Sequence, residues 1–148
     1  VLGTGARDST VTFAQKGLGD VYLAWENEAY LVLQEFGADN FDIVYPKSSI
    51  KAEPPVAVVT KNAEAHGTTD LAKAYLDYLY SPDAQTLEAK NHYRPSNPDS
   101  VTDKALLDAF PKIDLVSIDD PEFGGWATVQ PKHFGDGGIF DKIYTPAQ

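Results

Sequence analysis

Gly5-Ala6-Arg7-Asp8-Ser9-Thr10, followed by Val21-Tyr22-Leu23-Ala24-Trp25-Glu26-Asn27-Glu28, is the stretch whose reading decides the fold. The first part reads as a tight turn feeding a helix over Ser9–Lys16. Asp8 or Ser9 serves as its N-cap, and Gly17 closes it in the left-handed region. Gly19-Asp20 is a turn. Val21 to Trp25 is a short apolar run, read as a buried strand that ends in an indole. Glu26 or Asn27 opens the next helix, with Ala29, Val32, Leu33 and Phe36 at helical spacing and Gly37 as the stop. Phe41 to Tyr45 reads as another strand. Helix, strand, helix, strand is the cadence of an α/β sheet. At one edge of such a sheet, strand ends meet helix starts, and ligands settle there. Helix-start N–H groups and an indole N–H are donors without net charge, which suits a small, fully ionised oxyanion. Ala6 and Trp25 are therefore the candidate donors. Arg7 either faces the ligand or pairs with Asp8, Asp20 or Glu26.

Outward from this stretch, Ile50 to Thr60 changes character. Pro54-Pro55 forces an extended backbone ahead of Val56-Ala57-Val58-Val59. It reads as a crossover between two bodies, or as an edge strand led in by proline. Thr69 or Asp70 caps a helix running to Tyr80, with Leu71, Ala74, Tyr75, Tyr78 and Leu79 as its buried stripe. Ser81-Pro82-Asp83 restarts a helix: N-cap, proline at the first helical position, acid on the positive dipole end. That helix runs to about Asn91, before Arg94-Pro95. Val101 to Phe110 is predicted helical and Leu115 to Ile118 a strand. A last short helix lies near Phe140.

Composition narrows the functional classes. The 148 residues are 43% hydrophobic and 11% aromatic, which fits a globular chain with a core. Net charge is −10 with no basic cluster, so a nucleic-acid partner is not expected. Any anion site must be built locally. No apolar run reaches membrane-span length. Cysteine is absent, which excludes disulfides, thiol catalysis and Cys-based zinc sites. His66, His92 and His133 share no metal spacing, so no metal is expected. Asp119, Asp120 and Glu122 read as a solvated loop, interrupted by Pro121. Glu26 and Glu28 are the only close carboxylate pair near the proposed site edge. A hydrolase would use them at separated pKa values, but capping the following helix accounts for both. No nucleophile elbow, phosphate loop or dinucleotide fingerprint is present, and no cofactor or enzymatic activity is expected.

The ordered set Gly5-Ala6-Arg7 with Ser9-Thr10, Gly17-Leu18-Gly19-Asp20-Val21, and Ala24-Trp25-Glu26-Asn27-Glu28-Ala29 resembles the C-terminal half of bacterial periplasmic sulfate-binding proteins. Ala52-Glu53-Pro54, Ala74-Tyr75-Leu76, Tyr78-Leu79-Tyr80-Ser81-Pro82, Tyr93-Arg94-Pro95, Phe123-Gly124-Gly125-Trp126, His133-Phe134 and Gly137-Gly138 continue it in order. The resemblance implies an α/β, type II periplasmic-binding-protein-like fold, incomplete here as one half of a two-lobed receptor. It implies a periplasmic solute receptor, not an enzyme, that holds dehydrated sulfate between its lobes and delivers it to a membrane ABC transporter. Ala6 and Trp25 are then ligand donors, and Arg7 a brace beside the site. A donors-only cage also disfavours phosphate, whose proton would find no acceptor. The missing N-terminal half, in the same or a separate chain, is the other partner. The expected segments are 1–50 in the second lobe, 51–115 returning to the first lobe through a hinge strand, and 116–148 as a tail near the hinge. Thiosulfate-binding members of the family tend to carry phenylalanine at the position of Trp25. A thiosulfate or other tetrahedral-oxyanion receptor, or an interaction fragment that acts only through a partner chain, are the alternatives. Asp8 and Gly3 depart from the family pattern, and Pro131 interrupts a stretch usually helical. Asp8 brings negative charge toward the anion position unless its carboxylate turns away to cap the helix.

Overall fold

The computed structural model describes residues 3–143. Its residues fall into two compact units. One contains the residues up to Val44 together with Val56–Pro111, and the other contains Tyr45–Pro55 and the residues from Lys112 on. The sequence expectation drew its boundaries near 50 and 115. The observed grouping passes near 44, 55 and 111.

The first unit is helical. α1 (Ala6–Thr10) starts at Gly5 and widens into a π turn over Val11–Gln15. Gly17 ends it at φ 63°, the left-handed stop that the glycine predicted. α2 (Glu26–Phe36) buries Val32 and half-buries Ala29, Leu33 and Phe36, the stripe expected from its spacing. Gly37, at φ 96°, donates to Leu33 O and closes the helix. α3 (Thr60–Ala65) and α4 (Thr69–Tyr78) form a helical hairpin around Gly67, also at positive φ. α5 (Pro82–Lys90) begins as predicted, with Ser81 Oγ accepting from Ala84 N–H. α6 (Lys104–Asp108) is shorter than the helix expected over Val101–Phe110, because the Asp103 carboxylate caps Ala105 N–H and fixes the start there. Val101 remains outside the helix yet is buried.

Four sequence expectations are corrected here. Val21 to Trp25 is not a buried strand: it carries no strand pairing, and Val21 and Leu23 are 80% and 93% exposed. Phe41 to Tyr45 and Val56 to Val59 are likewise unpaired. A strand requires a neighbour for its ladder, and the described residues of this unit supply none. The α4 stripe is also displaced. Of the expected stripe, Leu71, Ala74, Tyr75 and Tyr78 are exposed and Leu79 is half-buried, beside Ala72 and Leu76, which are half-buried as well. α4 packs on α3.

The second unit holds the described sheet. β1 (Ser48–Ile50) pairs in parallel with β2 (Asp114–Val116), Ser49 opposite Leu115. Lys51 N–H to Val116 O and Asp114 N–H to Lys47 O extend the ladder. Asp120 anchors the following loop by accepting from Ser117 N–H at 2.7 Å. α7 (Trp126–Val129) continues as a π turn over Gln130–Phe134 that contains Pro131. α8 (Ile139–Ile143) follows, as expected near Phe140. A two-stranded parallel pair is marginal by itself. The buried apolar side chains of the two units are few and mostly small: Val32, Ala63, Ala84, Ala89, Val101 and Val129.

Candidate functional site

The candidate site is built where α1 begins and where the chain turns into α2. A helix's leading N–H groups have no intrahelical acceptor, and Gly5, extended at φ −167°, brings no side chain to cap them. The Gly5 carbonyl instead accepts from Ser9 N–H and from Ser9 Oγ at 3.1 and 3.0 Å. Asp8 is occupied as well. Its carboxylate accepts from Thr4 N–H at 3.3 Å and from the Thr4 hydroxyl at 3.4 Å, reaching back over the residues before the helix. The expected N-cap at Asp8 or Ser9 is corrected: α1 begins at Ala6, three residues before the expected start, its N-cap is Gly5, and Asp8 and Ser9 lie inside the helix.

Trp25 is the residue from which α2 departs. It has extended dihedrals (φ −64°, ψ 146°), and its carbonyl accepts from Ala29 N–H. The residue is 57% exposed, and its indole makes no hydrogen bond among the described residues.

The three polar residues after it are all engaged. Glu26 forms a two-pronged pair with Arg94, Oε2 to Nε at 2.6 Å and Oε1 to Nη2 at 2.9 Å. Arg94 also donates to Pro111 O and lies 5.1 Å over the Phe110 ring. Asn27 Nδ2 donates to Tyr93 Oη at 3.1 Å. Glu28 is buried, accepts from the Thr10 hydroxyl at 2.7 Å, and lies 3.7 Å from Arg7. Glu26 and Glu28 are therefore structural anions with cationic or hydroxyl partners. Neither is an uncommitted acid–base group.

Arg7 does not pair with Asp8, Asp20 or Glu26. It forms a close ion pair with Glu35, at the far end of α2, and a longer one with Glu28. The hydrogen bond to Glu35 raises the guanidinium pKa above its already high ordinary value, against some opposing desolvation; the charges of Glu35 and Glu28 add to the rise. One cation between two carboxylates leaves no net positive charge to attract an anion. Arg7 thus fastens α1 along α2.

These contacts tie the start of α1 to Tyr22 and to α2. The Ala6 carbonyl accepts from Tyr22 Oη at 3.1 Å, and Tyr22 stacks on Phe13, which also meets Phe41. Thr10 and Tyr22 were not singled out by sequence reasoning, because their partners lie twelve to eighteen residues away along the chain. Two open apolar grooves of this unit lie elsewhere. One is lined by Val58, Val59, Ala63, His66, Ala72 and Tyr75, the other by Tyr78, Leu79, Leu87, Glu88, Asn91 and Tyr93. Among the described residues, no three of His, Asp and Glu gather as a metal would need, and no helix is long and apolar enough to cross a membrane.

A mixed helix-and-strand chain belongs to a broad class, and sequence comparison narrows it. The family model for bacterial extracellular solute-binding proteins matches residues 1–94, and the chain belongs to that family. Over 143 residues it is 54% identical to the sulfate-binding protein of Escherichia coli (strain K12), covering 97% of this chain and 43% of that protein. It is 49% identical over 146 residues to a thiosulfate-binding protein of Pseudomonas aeruginosa, covering 99% and 43%. Identity to the sulfate-binding protein of Synechococcus elongatus is 42% over 144 residues, covering 97% and 39%. The chain thus spans about two fifths of the length of the curated relatives it matches. The described residues, about half helical with one parallel strand pair, are a partial α/β binding-protein fold.

Proposed function

We propose that this chain is the C-terminal part of a periplasmic sulfate receptor, which holds the dehydrated dianion in a cleft between two lobes and delivers it to an ATP-driven membrane importer. Segments 1–50, 51–115 and 116–148 then contribute to the second lobe, the first lobe and the hinge-side tail. Ala6 N–H and the Trp25 indole N–H are donors to sulfate, and Arg7 braces the Ala6 turn. The observation that carries this reading is the 54% identity to a sulfate-binding protein, which extends over 97% of the chain. The local chemistry supports it. The indole N–H is unpaired and exposed, while Asp8, Glu26 and Glu28 are each held by other partners. A dianion at this junction would meet an unpaired indole N–H, with Glu26 and Glu28 each beside an arginine and Asp8 turned back to Thr4.

The test is calorimetry on the complete receptor with sulfate, thiosulfate, molybdate and phosphate. Sulfate is expected to bind most tightly. Trp25→Phe is expected to weaken it by about 1–3 kcal/mol, the scale of a hydrogen bond to a charged group. Unchanged affinity in that variant would remove Trp25 from the site. Thiosulfate selectivity is the second reading, favoured by the 49% identity to a thiosulfate-binding protein. Tighter binding of thiosulfate than of sulfate would establish it.

A further inference from the structure

Thr10 is completely buried, and its hydroxyl is the meeting point of two residues distant in sequence. Its oxygen lies 2.9 Å from Tyr22 Oη and 2.7 Å from Glu28 Oε2. Tyr22 precedes Trp25 by three positions and Glu28 follows it by three. Trp25 is thus the midpoint of a stretch whose two ends share one hydroxyl. It is also where the backbone changes from extended to helical. The protons can be counted. Thr10 has one hydroxyl hydrogen; of its two acceptors, the Glu28 carboxylate oxygen at 2.7 Å and the Ala6 carbonyl at 3.1 Å, the charged and nearer one is the stronger. The Tyr22 hydrogen then goes to the Thr10 oxygen or to the Ala6 carbonyl at 3.1 Å. The Thr10 oxygen, at 2.9 Å against 3.1 Å, is the nearer acceptor, and donation to it closes the bend through Thr10; donation to Ala6 O would leave no hydrogen between the two hydroxyl oxygens.

We infer that Thr10 is a positioning residue for Trp25: its hydroxyl clasps Tyr22 and Glu28 and so fixes the direction in which the indole N–H is presented. This rests on the reading of Trp25 as a ligand donor. Shape is not what the clasp requires, since valine fills the same volume without the hydroxyl. Serine keeps the hydroxyl without the methyl group.

The experiment compares Thr10→Val and Thr10→Ser in the complete receptor. It is done in a Trp126→Phe background, so that Trp25 is the reporter among the described residues. Two quantities are read at a temperature where each variant is folded: the time-resolved anisotropy of the indole without ligand, and sulfate affinity. In Thr10→Val the indole should gain local motion and affinity should fall about tenfold, the scale of a loosened supporting contact. Thr10→Ser should restore both. A residue that only adds stability would move the unfolding midpoint and leave the native anisotropy unchanged. No gain in indole motion in Thr10→Val overturns the inference, whatever the affinity does. A gain in motion with unchanged affinity upholds the clasp and removes Trp25 from the ligand site. A parent receptor that binds no sulfate defeats the proposed function, and the anisotropy comparison then decides the clasp by itself. If Thr10→Val fails to fold, Tyr22→Phe removes one anchor, keeps the Thr10–Glu28 bond, and is judged by the same two readings.

Discussion

The two sides of Trp25 are built in opposite ways. After it, Glu26, Asn27 and Glu28 each reach a named partner, and those partners come from residues 10, 93 and 94. Before it, Val21 and Leu23 stand 80% and 93% exposed, and only the Tyr22 side chain on that stretch turns inward to α1. Ala24, two residues after Tyr22, is exposed as well, so the stretch lacks the alternation of a strand with one face covered. Its backbone has no strand neighbour among the described residues. Helices close their own hydrogen bonds and need only a packing face, so α2 is complete within this chain. A strand is defined by its neighbours, and these segments have the composition without the ladder. Helix starts are settled on one side of the junction, and the sheet they should border is not.

The largest expected effect lies on the settled side. Arg94→Ala removes both prongs to Glu26, the bond to Pro111 O and the contact with Phe110. It also leaves Glu26, with 21% of its side chain exposed, without its main partner. A loss of about 3 kcal/mol in unfolding free energy is expected, measured by urea denaturation. A loss below about 1 kcal/mol would rank the pair with ordinary surface salt bridges. The contrast between the two sides would then lose its energetic basis.

A smaller effect tests what sequence alone can assign. Ser81→Ala removes the acceptor of Ala84 N–H and should cost about 1 kcal/mol, read by the same denaturation. This cap, the Gly17 and Gly37 stops and the α2 stripe were legible, because each is a local rule satisfied within a few residues. Asp103 obeys the same rule, and overlooking it made the following helix too long. What was not legible is non-local. Gln85 is 1% exposed, donates to Leu79 O and accepts from Asn97 N–H, yet nothing in its neighbours marks it as a core residue. Arg7 was expected to pair nearby and reached Glu28 and Glu35 instead. Of the candidate site, Ala6, Arg7 and Trp25 were nameable from the motif. The Thr10–Tyr22–Glu28 clasp that joins their surroundings was not, since its spacing follows no short pattern.

The smallest expected effect lies on the unsettled side, and it sharpens the comparison most. Leu23→Thr keeps the chain's extended preference and removes apolar surface that already faces water. In this chain, at 93% exposure, the change should alter stability by no more than about 0.5 kcal/mol. In the complete receptor proposed above, where further strands would cover this edge, the same substitution should cost about 2 kcal/mol through lost burial. The same denaturation measurement on the two forms therefore reports whether Val21–Ala24 gains a neighbour. Equal, negligible losses in both would mean that the segment stays uncovered, and the sheet reading of this stretch would fall. A substantial loss in the short chain would mean that Leu23 is already packed. The two sides of Trp25 would then differ less than their exposures indicate.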